Sequence, residues 1–195
     1  MHTIPSLVSG SAIPVNKHGI MGMSPVAGAI PVELCQEDGA DTYAFNPDSP
    51  TPVGNKYGYK MNTGFDAIDK TISKIVYYFA NTTSATGSID AYVGTSSSAT
   101  KIGTVDVSTI GGSTAGGNPV TFDSDSHEVS VNDIFWVENN EDRNDKNLAI
   151  YWTGGTPTTS PLSNTTVMWG ASAVGKPPPV DTGDLVPSKV CITYS

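Results

Sequence analysis

Thr71-Ile72-Ser73-Lys74-Ile75-Val76-Tyr77-Tyr78-Phe79-Ala80 is the strongest apolar run of the chain, and it reads in two ways. Phe65, Ile68, Ile72, Ile75, Val76 and Phe79 share one face of a helix. The same run is β-branched and aromatic, a content that packs better on a pleated surface. Composition decides between the two. Only five residues are Leu, a strong helix former, whereas Val, Ile and Thr supply 53. The run therefore predicts a strand over 71–80, with room for a short helical turn at 65–69.

Outward from this strand the pattern becomes regular. A polar turn at 81–86 leads into 88–93, where Ile89, Ala91 and Val93 alternate with Ser88, Asp90 and Tyr92. Further strands are expected at 56–62, 101–107, 119–122, 127–131, 134–138, 148–153, 165–169 and 189–194. Residues 108–117 read as a Gly/Ser/Thr loop without core content. Lys176-Pro177-Pro178-Pro179 reads as a stiff extended spacer. This is the pattern of an antiparallel β-sandwich, jelly-roll-like, over residues 54–195.

Residues 1–53 differ. Pro at 5, 14, 25, 31, 47, 50 and 52, and Gly at 10, 19, 22, 28 and 39, interrupt every apolar piece. Proline fixes φ and removes a ladder donor, so this stretch reads as an extended N-terminal arm with one or two edge strands. It has too little core to hold itself. Either its own sandwich or a partner surface must hold it, and the partner-facing residues would be Ile4, Pro5, Ile13, Pro14, Ile20, Met21 and Met23. Cys35 and Cys191 are either buried free thiols or a bridge from the arm to the last strand.

Charge removes several function classes. The chain carries −9, and Arg143 is its one arginine. Nucleic-acid binders replace condensed counterions with a basic surface, so this chain would repel a phosphate backbone. Anionic membranes are disfavoured likewise. No stretch approaches the roughly 20 apolar residues of a membrane helix. Met1-His2-Thr3-Ile4-Pro5 lacks the basic and apolar regions of a secretory leader.

Residues 65–153 resemble the jelly-roll β-sandwich domains of secreted bacterial proteins and phage structural proteins. Three pieces carry the resemblance. The first is 71–79 followed by Thr86-Gly87-Ser88-Ile89-Asp90-Ala91-Tyr92-Val93. The second is Pro119-Val120-Thr121-Phe122 leading to Val129-Ser130-Val131. The third is Asp133-Ile134-Phe135-Trp136-Val137 leading to Leu148-Ala149-Ile150-Tyr151-Trp152. The resemblance implies carbohydrate binding, or packing as a surface module on virions.

Catalytic chemistry is largely missing from the sequence. His2, His18 and His127 form no metal-ligand spacing. No serine sits in a nucleophile motif, and no Gly-rich loop is followed by Lys-Ser or Lys-Thr. The carboxylates of 123–126 and 138–145 lie in polar stretches, where a solvated loop is the plain reading. The sharper reading is calcium held by Asp123, Asp125, Asp142 and Asn144, although the spacing is not that of an EF-hand. Tyr92 and Tyr151 alternate away from the apolar faces and could form a flat platform for a sugar ring. Asn81-Thr82-Thr83 and Asn164-Thr165-Thr166 match glycosylation acceptors.

The expectation is a non-enzymatic virion structural subunit: a phage capsid decoration, head-fibre or tail-associated protein. Its partners would be other virion proteins and copies of itself. The alternative is a carbohydrate-binding module using Tyr92 and Tyr151.

Overall fold

A computed structural model describes residues 30–36, 41–44, 55–112, 116–141, 148–152, 162–173, 175–179 and 189–195. These form eleven strands: β1 (Val32–Gln36), β2 (Asp41–Ala44), β3 (Asn55–Met61), β4 (Thr71–Asn81), β5 (Gly87–Gly94), β6 (Ala99–Asp106), β7 (Asn118–Glu128), β8 (Ile134–Glu141), β9 (Leu148–Trp152), β10 (Thr165–Ala171) and β11 (Val190–Tyr194). Among the described residues the only helical element is a single 3-10 turn, Val107–Thr109, capped by the Asp106 side chain on the Ser108 N–H. All strand pairs are antiparallel, and they make two sheets packed face to face.

The pairing follows one rule. β5 pairs with β6, β4 with β7, β3 with β8 and β2 with β9. The chain is thus one long hairpin with its tip between β5 and β6. Rolling it up sends successive pairs to alternate sheets, giving β2-β9-β4-β7 against β3-β8-β5-β6. That order is a jelly roll. Three strands are additional. β10 extends the second sheet beyond β3, whereas β11 and β1 extend the first. A strand has two edges, and β7 occupies one edge of β4 from Thr71 to Phe79. β11 and β9 divide the other, β11 pairing with Ile72 to Tyr77 and β9 with Phe79 to Asn81.

β4 also explains its own ambiguity. Ile72 and Ile75 both enter the core between the sheets, although strict alternation puts them on opposite faces. The β4–β11 register slips here: Thr193 faces Lys74, Tyr194 faces Ile72, and Ser73 is the extra, exposed residue. A bulge of this kind resets the alternation. The spacing of three that mimics a helix is a β-bulge. Beyond it Ile75, Tyr77 and Phe79 point inward with Tyr59, Ile89, Phe122, Phe135 and Ile192, and the 65–69 stretch is a set of turns.

Four expectations are corrected. The boundary at 53/54 cuts through the sandwich, because β1 and β2 pair with β11 and β9. The strands expected at 119–122 and 127–131 are one strand, β7, ending at Glu128. The 108–117 loop does feed the core, since Ile110 is buried there. The 176–179 stretch is no spacer: the Pro179 carbonyl accepts from the Trp169 N–H at 3.2 Å, and Pro178 is buried. The arm residues Ile4, Pro5, Ile13, Pro14, Ile20, Met21 and Met23 lie outside the described residues.

Candidate functional site

The outward face of the second sheet carries a row of polar side chains. Lys56, Glu138, Asp90 and Thr104 are successive cross-strand neighbours on β3, β8, β5 and β6. The next row holds Met168, Gly58, Trp136 and Tyr92. Gly58 is required there, since a Cβ would lie 2.6 Å from the Cβ of Trp136. Tyr92 stacks on Trp136 with centroids 5.1 Å apart and planes 12° apart. Together with Ile134 and Met168 they form a second small core.

Residues 172–173 and 175–179 close over this face as a strap, and buried charge holds it. Lys56 Nζ and Glu138 Oε2 lie 3.4 Å apart, with both side chains fully buried. The ammonium also donates to the carbonyls of Ala173 and Lys176, so all three of its donors are used. The Gly175 N–H donates to Glu138 Oε2 at 3.0 Å, and Ser172 Oγ donates to the carbonyls of Lys176 and Pro177. Desolvation lowers the Lys56 pKa, and Glu138 opposes that shift. Burial, and then the carboxylates of Glu138 and Asp90, push the Tyr92 phenol up to about 12. Asp90 accepts from Thr104, Lys101 and Asn140.

Tyr92 is therefore not an exposed platform: it is 8% exposed. Alternation placed it on the correct face, but a strap more than seventy residues later in the chain covers that face. The Tyr151 backbone pairs with Thr42, and its side chain lies outside the described residues. Asn81 is committed to Ala85 and Val107 by its amide, so this glycosylation match is occupied. Asp123 is exposed on β7 opposite Lys74. The Asp125 side chain, Asp142 and Asn144 lie outside the described residues.

The second distinctive place is the margin of the first sheet. β1 pairs through all five residues with β11, and Cys35 lies directly opposite Cys191. The two form a disulfide with Cα atoms 4.0 Å apart at a sequence separation of 156. It resolves the open choice in favour of the bridge. Glu33, Cys35 and Cys191 place one ligand atom each within 4.8 Å of one another, but joined sulfurs offer no thiolate to a metal. Around them Lys74 pairs with Glu33 at 3.7 Å, and Lys189 Nζ sits 4.1 Å above the Tyr78 ring. The other edge of β1 has no strand partner among the described residues. Ile30 and Val32, at 85% and 45% exposure, stand at this margin.

No family model matches the chain, and no curated protein is similar to it. Among solved structures it is similar to a chain in the structure of infectious bursal disease virus Gx strain, at 15% identity and a TM-score of 0.29. The match covers 98% of this chain, which spans 47% of that chain's length. So distant a likeness bears on neither fold nor function.

The His127 ring and the Asp133 carboxylate lie 2.8 Å apart. Asp133 also accepts from the Ser130 N–H, so the pair closes the turn between β7 and β8. Sequence reasoning missed the buried Lys56–Glu138 pair altogether. Lys56 opens the strand expected at 56–62, and nothing local marks a lysine whose partners come from residues 138, 173 and 176.

Proposed function

We propose that this protein is a virion structural subunit, of the capsid-decoration, head-fibre or tail-associated kind found in phages, acting by non-covalent assembly and not by catalysis. The observation that carries the reading is the anchorage of β1. Residues 1–29 lead into a strand held by five register pairs and a disulfide to the last strand of the body. A leader engaged by neighbouring molecules needs such a fixed root, because a frayed root would absorb any force or binding energy as local unfolding. The jelly roll suits the role, being an architecture of capsid and lectin domains, though a fold alone does not assign a function. Burial of Tyr92 takes one of its two aromatic residues from the carbohydrate-binding alternative.

The test is the assembly state of the full chain against a chain of residues 30–195, by light scattering coupled to size exclusion. The expected result is a defined oligomer for the full chain and a folded monomer for the shorter one. A full chain that stays monomeric up to about millimolar concentration overturns the reading.

A further inference from the structure

We infer that the Lys56–Glu138 ion pair is the precursor of an amide bond, which the folded protein forms by itself between Lys56 Nζ and Glu138 Cδ. The inference is independent of the assembly reading. It starts from an atom that the ion pair leaves unanswered. Glu138 Oε2 takes the Gly175 N–H and the Lys56 ammonium, whereas Oε1 is buried without a hydrogen-bond partner among the described residues. A buried carboxylate with an idle oxygen is costly, because attraction to the cation alone does not offset desolvation. Condensation removes that oxygen as water and both charges with it. The product leaves no group idle. Oε2 becomes the amide oxygen and keeps the Gly175 N–H at 3.0 Å. The one N–H left on Nζ has the carbonyls of Ala173 and Lys176 to donate to. Each carbonyl also has a donor from the strap itself: Ala173 accepts from the Lys176 N–H at 2.9 Å, and Lys176 from Ser172 Oγ at 3.0 Å.

The setting favours the reaction. Lys56 is the one fully buried lysine among the described residues. Desolvation lowers its pKa and so favours the neutral, nucleophilic amine. Lys56 and Glu138 are direct cross-strand neighbours on β3 and β8, with Nζ 3.4 Å from Oε2, so attack is intramolecular and oriented. The strap supplies the remaining parts. Its two carbonyls fix Nζ, and the Gly175 N–H holds the oxygen on which negative charge develops. The step balances without a co-reactant. One proton passes from Nζ to Oε1. The Nζ lone pair attacks Cδ, and the electrons of the carbonyl double bond move onto Oε2. A second proton passes from Nζ to the Oε1 hydroxyl, the Cδ–Oε1 bond breaks, and water leaves as the carbonyl re-forms. Nothing is oxidised or reduced. Exclusion of bulk water from the site disfavours hydrolysis of the product.

Mass spectrometry of the full chain, folded first and then reduced and denatured, tests this. The chain should weigh one water less than its sequence requires. Its tryptic digest should contain a branched peptide joining the stretch around Lys56 to the stretch around Glu138, with no cleavage after Lys56. Lys56→Met and Glu138→Leu should each bring the mass back to that of the variant's full sequence. Either variant could also lose the bond by failing to fold, so the branched peptide of the wild type is the deciding measurement. A folded wild type of full sequence mass overturns the inference, and so does a lost water that fragmentation maps to any other residues.

Discussion

Lys56 and Glu138 form an ion pair with both side chains fully buried. Removing one partner of a fully buried pair leaves the other charge without compensation, a loss of about 3–5 kcal/mol. Lys56→Met should lower the stability of the protein by that amount in urea titrations. Adding Glu138→Leu should restore part of it, not all, because the Ala173 and Lys176 carbonyls remain without their donor. Tyr92 gives a second prediction, in pH. Its folded pKa of about 12 lies above the ordinary value of 10, so its contribution is complete below pH 10 and is lost as pH rises from 10 to 12. Tyr77 and Tyr194, also raised by burial, act in the same direction. Denaturation midpoints at pH 8 and pH 11 should therefore diverge in the wild type, and Tyr92→Phe should narrow the gap.

Among the elements, β1 is the one whose place depends on a covalent bond. It is a five-residue strand at the end of a sheet, the kind of element that frays. The Cys35–Cys191 bridge closes nearly the whole body into a loop, and chain entropy then assigns it about 5 kcal/mol at this separation. Reduction, or Cys35→Ser with Cys191→Ser, should cost several kcal/mol in the same titrations. It should also raise proteolysis at residues 30–36 before the body unfolds. Either change leaving stability and cleavage unaltered would mean that pairing with β11 alone holds the strand.

For the whole molecule, the decisive matter is where the leader ends and the sandwich begins. A chain of residues 54–195 lacks β1, β2 and Cys35, so β11 and β9 lose their outer neighbours and the first sheet gains two raw edges. That chain should aggregate or stay unfolded, whereas residues 30–195 should melt cooperatively within a few degrees of the full chain. Circular dichroism melts of the two truncations separate these outcomes.

By itself the sequence determined the class and most of the strands, because alternation is a property of neighbours: Ile89, Ala91 and Val93 face one way and Asp90 and Tyr92 the other whatever surrounds them. β1 and β2 were foreseeable as edge strands in a proline-broken stretch, but not as parts of the sandwich, since pairing joins residues up to 162 positions apart. Only the tertiary structure decided what covers the outward face of β5 and β8. Alternation says that a side chain points away from the core, not that water lies there. The strap of residues 172–173 and 175–179 turned an expected platform into a second core and its flanking charges into a buried brace. The same limit hid the bulge at Ser73, because a spacing of three apolar residues looks alike in a helical turn and in a strand that slips register.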